Sequence, residues 1–242
     1  MKHYAVIPAR YASTRFPGKP LALLNGKPML QHVYENVNAT KLFDEVFIAT
    51  DDLRIAAAGE SFGATVVMTD SSLPSGTDRV AALTEMMEPD CVIINVQGDE
   101  PLISKTPLAA LLKAFEDDDV RIASLMTPLD TPEDLNNPNI VKVVTDTRSN
   151  ALYFSRSTIP FDRDGKGKVN YFRHIGVYAF RYEALHEFVA LSPGILENTE
   201  KLEQLRALEH GLPIRMVITD YQGIGIDSPN DLRRVEQFLK DI

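Results

Sequence analysis

The chain has 242 residues, 44% of them hydrophobic and 24% charged, which is typical of a soluble globular protein. Its formal net charge of −9 argues against a nucleic-acid partner, because phosphate backbones require a basic surface. The apolar stretch before Pro8 is too short for a signal peptide or a membrane span, so we expect no membrane insertion. The only cysteine, Cys91, excludes disulfides and zinc clusters, and it is typical of a protein of the reducing cytoplasm.

The first half of the chain alternates short apolar runs with stretches that have a helical pattern. Strands are predicted at 3–9, 45–50, 64–69, 91–97 and 121–129. Helices are predicted at 29–40, 52–62, 77–87 and 102–118. The first four runs are apolar on both faces, as in parallel strands buried between helices. This alternation predicts an α/β fold of three layers, with a mostly parallel sheet between helices.

The middle of the chain, residues 139–181, lacks a helical period. It predicts two strands about a turn at 147–150, then a polar loop and a returning strand. We interpret it as an antiparallel insertion within a single domain that covers residues 1–242. The elements predicted after it are a helix at 198–210, a strand at 214–219 and a helix at 230–240.

A cationic loop, IPARYASTRFPGKPL at residues 7–21, follows the first predicted strand. It carries Arg10, Arg15 and Lys19 and no acidic residue, and the first 34 residues have a charge of +5 while the rest have −14. Ligands of parallel sheets bind at the carboxyl ends of strands, so the loop is a candidate polyphosphate site. A solvated loop is the alternative. The spacing matches neither a P-loop nor a dinucleotide-binding fingerprint.

Two carboxylates are candidate magnesium ligands. Asp99 follows the predicted strand at 91–97, and Mg²⁺ prefers one or two carboxylates with phosphate oxygens. In GIGIDSPNDL, Ser228 is the predicted N-cap and Pro229 the first helical residue, which leaves Asp227 free to share a cation with Asp99. An ordinary turn residue is the alternative for Asp99.

The segment SGTDRV supplies a turn before a helix. Ser75, Gly76 and Thr77 are small enough to let a flat ring approach the backbone, while an ordinary N-cap by Thr77 is the alternative. Arg79 lies in the first helical turn, where the helix dipole disfavours a cation. Its position suggests an external anion.

Polar residues in the second half are candidates for an acidic-sugar pocket. Arg156 and His174 lie in the antiparallel insertion, where surface or cross-strand roles are the alternative. Glu203 and Gln204 lie beside an apolar stripe of the predicted helix at 198–210, from which they could reach hydroxyl groups. Solvated helix residues are the alternative for this pair.

Seven segments occur together in one order: IPARYASTRFPGKPL, VQGDEP, SGTDR, YFSRSTIP, RHIGVYAF, LEQLRALEHG and GIGIDSPNDL. From about residue 4 to 239 they resemble the 3-deoxy-manno-octulosonate (Kdo) cytidylyltransferase family, also called CMP-Kdo synthetases. The resemblance implies the nucleotide-diphospho-sugar transferase fold and a homodimer whose contact includes the inserted hairpin. It also implies a Mg²⁺-dependent reaction in lipopolysaccharide biosynthesis, in which CTP and Kdo give CMP-Kdo and diphosphate.

The resemblance implies a role for each motif residue. Arg10 and Lys19 would hold the triphosphate with Arg15 nearby, and Asp99 and Asp227 would bind the metal. These two cations and two carboxylates would form the catalytic group. Residues implied to border the nucleotide are Ser75, Gly76, Thr77 and Arg79. Residues implied to contact the sugar are Gln97, Arg156, His174, Tyr178, Glu203 and Gln204.

Three questions stay open at this point. His174 is a candidate general base, and activation of the sugar hydroxyl by the metal is the alternative. The substrate could be 8-amino-Kdo or another acidic sugar, because one changed substituent can depend on a single contact. A non-catalytic nucleotide-binding regulator is a rival of a different class, since a fold alone does not determine function.

Overall fold

The computed structural model describes residues 1–12, 16–165, 169–223, 225–226 and 229–240. Its strands are β1 (Lys2–Ala9), β2 (Leu23–Leu24), β3 (Lys27–Pro28), β4 (Glu45–Thr50), β5 (Thr65–Met68), β6 (Cys91–Asn95), β7 (Ile122–Pro128), β8 (Lys142–Thr145), β9 (Ala151–Ser155), β10 (Phe172–Arg181) and β11 (Arg215–Ile218). Its α-helices are α1 (Met29–Ala39), α2 (Leu53–Ser61), α3 (Gly76–Ala81), α4 (Lys105–Lys113), α5 (Pro132–Asn136), α6 (Tyr182–Ala190), α7 (Ile195–Glu200), α8 (Leu205–Glu209) and α9 (Pro229–Lys240).

The chain divides into two compact units. The first comprises Met1–Ala109 and Gly223–Ile242, and the second comprises Ala110–Gln222. The prediction of a single domain over residues 1–242 stays a prediction.

The first unit is built on four parallel strands in the order β6, β1, β4, β5. Ala5, Val6 and Ile7 of β1 are completely buried, which explains why this run is apolar on both faces. Helices α1, α2 and α3 contact these strands. Because β1 and β6 are parallel neighbours, the loops after Ala9 and Asn95 leave the sheet at the same edge.

The second unit mixes parallel and antiparallel pairing. Strands β11 and β7 are parallel, β10 is antiparallel to β7, and β8 is antiparallel to both β10 and β9. The predicted antiparallel insertion is confirmed, with its turn between β8 and β9. The register of β10 on β7 shifts between Ile175 and Tyr178.

The predicted helix at 198–210 is wrong. Helix α7 ends at Glu200, Lys201 adopts a left-handed conformation with φ of 55°, and α8 begins only at Leu205. The carboxylate of Glu209 accepts the backbone N–H groups of Leu196 (2.9 Å) and Glu197 (3.2 Å), so α8 folds back on the start of α7. Leucines recur at helical spacing from Leu202, inside the break, to Leu212, beyond the end of α8, and for that reason the pattern alone did not show the break.

The starts of α3 and α9 bear on the capping predictions. The N-cap of α3 is Ser75, not Thr77, since Ser75 Oγ accepts the backbone N–H of Asp78 at 3.1 Å. Helix α9 begins at Pro229 as predicted, and Ser228 lies outside the described residues. Within the described part of the chain, no helix has the length and apolar character that crossing a bilayer requires.

Candidate active site

A pocket of about 370 Å³ opens in the first unit where the loops after β1 and β6 leave the sheet. The residues that line it come from the end of β1, the cationic loop, the start of α3 and the loop after β6: Pro8, Ala9, Arg10, Ala12, Lys19, Pro20, Gly76, Gln97, Gly98 and Asp99. Five residues predicted from separate motifs therefore share one pocket, namely Arg10, Lys19, Gly76, Gln97 and Asp99.

Two glycines bring the pocket walls close enough to meet. Gly18 has a φ of 71°, and a Cβ there would lie 3.2 Å from the ring of Tyr11. A Cβ on Gly98 would lie 3.3 Å from the backbone oxygen of Pro8. Within this frame Lys19 Nζ donates to Asp99 Oδ2 at 2.6 Å. The strongest cationic and anionic candidates thus pair directly.

Arg10 is held in the pocket wall by one guanidinium N–H, which donates to the backbone oxygen of Leu73. Its Nε is buried and has no hydrogen-bond partner among the described residues. A buried donor without an acceptor costs roughly 1–3 kcal/mol, and an anionic ligand would remove that cost. Arg15, the third predicted cation, lies outside the described residues.

Gln97 is oriented by a residue that the sequence analysis missed. Its Nε2 donates to Asn95 Oδ1 at 3.1 Å, and Asn95 Nδ2 donates to Thr77 Oγ1 at 3.3 Å. Asn95 is completely buried and Thr77 is nearly so, which places the Thr77 side chain in the interior. The sequence did contain a signal for Asn95, because it is a polar residue at the end of the otherwise apolar strand CVIIN.

Arg79 is completely buried and faces an internal carboxylate. It pairs with Asp51 at 3.0 Å and donates to Thr69 Oγ1. Burial lowers the pKa of Arg79, and the charge of Asp51 opposes that shift. Arg79 thereby holds the segment before α3 in place. The anionic partner that the described residues provide is Asp51, an internal carboxylate, and not a bound ligand.

The carboxylate of Asp99 is suited to a hard cation. The backbone N–H of Ile226 donates to the backbone oxygen of Asp99 at 3.1 Å, and Asp227, the next residue, lies outside the described residues. In the described ranges no three His, Cys, Asp or Glu residues are grouped to hold a metal ion. Mg²⁺ requires no such group, because it binds through one or two carboxylates with substrate phosphates and water. The donors present therefore fit Mg²⁺.

In the second unit His174 is buried with a partner on each ring nitrogen. Nε2 lies 2.8 Å from Ser124 Oγ, and Nδ1 lies 3.4 Å from Gln204 Nε2. Ser124 Oγ also lies within hydrogen-bond distance of the backbone oxygens of Ile175 and Val177. Since the hydroxyl has one hydrogen to donate and a carbonyl takes it, Nε2 carries the imidazole proton and Nδ1 accepts from the Gln204 amide.

Four predicted sugar contacts come together around this ring. The His174 ring lies 5.4 Å from the Tyr178 ring, between the two ring centroids, at an angle of 54°, and Gln204 is buried beside it. Burial, aided by the charge of Arg173, lowers the pKa of His174 to about 3. Burial and the negative charge of Glu203 raise the pKa of Tyr178 well above its ordinary value. The cluster is thus a neutral histidine and a neutral tyrosine beside one carboxylate.

Arg156, the fifth predicted sugar contact of this unit, bonds to backbone carbonyl oxygens. Its Nε donates to Glu200 at 2.8 Å and its Nη1 to Pro138 at 3.0 Å. A guanidinium has five N–H groups, so these bonds do not exhaust its donors. The structure gives Arg156 a structural role that its motif did not reveal.

Comparison with known proteins decides the family. The cytidylyltransferase family pattern matches residues 4–216. A 3-deoxy-manno-octulosonate cytidylyltransferase from Thermodesulfovibrio yellowstonii is 48% identical over 246 residues, which cover 97% of this chain and 96% of that protein. The chain belongs to the 3-deoxy-manno-octulosonate cytidylyltransferase family. A family member from Phocaeicola vulgatus is 49% identical over 250 residues, covering 99% of this chain and 98% of that protein.

The fold of this cytidylyltransferase also matches a solved structure. CMP:2-keto-3-deoxy-manno-octonic acid synthetase complexed with CTP aligns with a TM-score of 0.94 and 40% sequence identity, over 100% of this chain and 99% of that one. The α/β fold predicted from the strand pattern and the family resemblance is confirmed.

Proposed function

We propose that this protein is a nucleotidyltransferase that joins the CMP group of CTP to Kdo, giving CMP-Kdo and diphosphate. Relatives of that name match over almost the whole chain, and a structural neighbour of 40% identity holds CTP. The observation that carries the proposal in this molecule is the pocket in which Arg10, Lys19 and Asp99 meet. The product would supply activated Kdo for lipopolysaccharide biosynthesis.

The reaction forms a bond from the anomeric oxygen of Kdo to the α-phosphorus of CTP and breaks the bond to the diphosphate, while the proton of the anomeric hydroxyl passes to water. Negative charge builds on the leaving group as that bond breaks. We assign Lys19 and Arg10 to this charge, because cations in a partly enclosed pocket stabilise it more strongly than they would in water. Gly76 and the backbone around it would let the nucleotide lie close to the start of α3.

We assign Asp99 and Asp227 to Mg²⁺, which when bound neutralises phosphate charge and lowers the pKa of a coordinated hydroxyl. Lys19 would then exchange its ion pair with Asp99 for an ion pair with the phosphates, so that its charge stays paired throughout. Gln97 is oriented by Asn95, so its carbonyl oxygen is available to a ligand in the pocket.

The residues around His174 would orient the sugar. With its pKa lowered to about 3, the imidazole stays neutral at physiological pH, and it is too weakly basic to remove a proton from the hydroxyl. Its role would be the placement of Gln204 and Tyr178 rather than proton transfer. Glu203 and Gln204 supply hydroxyl acceptors, and Arg156 keeps donors for the sugar carboxylate.

A diphosphate-release assay tests the proposal by crossing CTP, UTP, ATP and GTP with Kdo, 8-amino-Kdo and sialic acid. We expect release with CTP and Kdo and little with the other nucleotides. Preference for 8-amino-Kdo would reassign the substrate but keep the reaction. Binding of CTP without release with any sugar would support a nucleotide-binding regulator and contradict the proposal.

Assembly and location complete the proposal. We infer a homodimer from the family resemblance, in which the β8–β9 hairpin contributes to the contact. Leu152, the second residue of β9, is 62% exposed in the single chain, as a contact residue would be. Cys91 is buried and unpaired, which fits the cytoplasm. Sedimentation of the purified protein at the mass of one chain would contradict the dimer.

A further inference from the structure

The end of α7 is tied to the end of β9 through the carboxylate of Glu200. That carboxylate accepts the hydroxyl of Ser155 at 2.6 Å and the backbone N–H of Arg156 at 3.0 Å. Arg156 Nε returns a hydrogen bond to the backbone oxygen of Glu200 at 2.8 Å. Three hydrogen bonds therefore join two segments that lie about 45 residues apart.

A buried lysine secures the other side of this connection. Lys142 is completely buried, and its Nζ donates to the backbone oxygens of Asn137 (3.0 Å), Ile140 (2.6 Å) and Arg156 (2.6 Å). Its three N–H groups are thus all used. Burial lowers the pKa of Lys142, and the charge of Arg156 lowers it further. Burying a lysine costs folding free energy unless each of its N–H groups has an acceptor, and all three N–H groups of Lys142 have one.

We call Glu200, Ser155, Arg156 and Lys142 the Glu200 anchor. In the sequence, Glu200 shortly precedes two residues of the cluster around His174, namely Glu203 and Gln204. Lys201, with its left-handed φ of 55°, follows Glu200, and Glu203 and Gln204 come within four residues. Gln204 Nε2 then reaches His174 Nδ1 at 3.4 Å. Because the connection is short, a displacement of Glu200 moves the Glu203–Gln204 turn.

We propose that Glu200 is a positioning residue for sugar recognition, which holds Arg156, Glu203 and Gln204 in place without touching the sugar. The inference rests on the proposed function, since it takes these three residues as sugar contacts. The alternative is that the anchor stabilises the fold and has no influence on substrate binding.

A second carboxylate of the same hairpin separates these two cases. Glu209, the last residue of α8, accepts the backbone N–H groups of Leu196 at 2.9 Å and Glu197 at 3.2 Å. These bonds join the end of α8 to the start of α7, at the opposite end of the hairpin from the Glu203–Gln204 turn. Glu209→Gln therefore removes a charged acceptor of two hydrogen bonds, as Glu200→Gln does, but leaves the bonds from Glu200 to β9 intact, which makes it the matched control for Glu200→Gln.

The experiment measures KM for Kdo, KM for CTP, kcat and Tm for both variants of the full chain. We expect Glu200→Gln to raise KM for Kdo about tenfold, because it loses a charged acceptor of two hydrogen bonds, with KM for CTP within about twofold. Glu209→Gln should lower Tm with KM for Kdo within about twofold of wild type. Equal effects of the two variants on KM for Kdo would overturn the inference.

Ser155→Ala keeps the test decisive if Glu200→Gln does not fold, because it removes one donor to the same carboxylate and should raise KM for Kdo in the same direction. Gln204→Ala separates the assignment of the sugar contacts from the positioning role of Glu200. If Gln204→Ala leaves KM for Kdo unchanged, the sugar assignment itself fails. If Gln204→Ala raises it while Glu200→Gln and Ser155→Ala do not, the positioning role alone is wrong.

Discussion

Lys19 Nζ lies 2.6 Å from Asp99 Oδ2, although the two residues are 80 positions apart in the sequence. Their side chains are 18% and 25% exposed, so a ligand in the pocket can reach both. The pair keeps two charges neutralised at the place where a phosphate and a cation would bind. Substrate binding would then exchange one ionic partner for another, which limits the cost of removing charges from water.

Lys19→Ala should weaken the use of CTP far more than the use of Kdo. Loss of a charge-assisted contact to the phosphates predicts an increase of about 10- to 100-fold in the Kd for CTP, measured by calorimetry, with the KM for Kdo within about twofold of wild type. Lys27→Ala is the control, since Lys27 is an exposed lysine that pairs with Glu35 at 2.9 Å. An unchanged Kd for CTP in Lys19→Ala would count against the phosphate role of Lys19.

Gly18→Ala should impair CTP binding through the cationic loop. An alanine there pays about 1–2 kcal/mol for its left-handed backbone and also meets the Tyr11 ring at 3.2 Å. Gly26→Ala is the control, because Gly26 has a φ of 83° and no described atom near the added Cβ. We expect a higher Kd for CTP, by calorimetry, in Gly18→Ala alone. Matching Kd values in the two variants would show that contact with Tyr11 is unimportant.

His174 should make the fold less stable as the pH falls. Its pKa is about 3 when folded and about 6.5 when unfolded, so between these values only the unfolded chain binds the proton. The stabilisation is complete above pH 6.5 and declines as the pH falls towards 3. Urea unfolding at pH 7 and pH 5 should show a loss about 2 kcal/mol larger for wild type than for His174→Gln. Parallel pH dependences would contradict the burial of a neutral imidazole.

Strand positions were predictable from the sequence, because apolar runs at 3–9, 45–50 and 91–97 require burial on both faces. The pocket was partly predictable for a related reason. Loops that follow neighbouring parallel strands meet at one sheet edge, and this brings Arg10 and Asp99 together. The assignment of Kdo, by contrast, came from the resemblance of whole motifs and not from any single residue.

Pairings across long sequence separations were not predictable. Nothing in the pattern showed that Asp51 neutralises Arg79, or that Arg156 bonds to the backbone at the end of α7, because both depend on tertiary contacts. The break at Lys201 was hidden for the same reason, since it goes with a tertiary contact in which Glu209 of α8 bonds to the start of α7. Asn95 is the exception, because a polar residue ending an apolar strand is visible in the sequence.

Asp227→Ala should behave as Asp99→Ala does, if both carboxylates serve one metal ion. We expect each variant to lose turnover while Tm stays close to that of wild type. A Mn²⁺-binding measurement in the presence of CTP provides a readout other than activity, and both variants should bind Mn²⁺ more weakly. Unchanged Mn²⁺ binding in Asp227→Ala would remove that residue from the site.

Diphosphate release from CTP and Kdo by Asp99→Ala is the most direct test of the account, with Asp44→Ala as its control. Asp44 also pairs with a lysine, Lys2, at 2.9 Å, but this pair lies on the surface outside the pocket. We predict a decrease of about 10²- to 10³-fold for Asp99→Ala and activity within about twofold of wild type for Asp44→Ala. Activity like that of wild type in a folded Asp99→Ala protein would contradict the proposed active site.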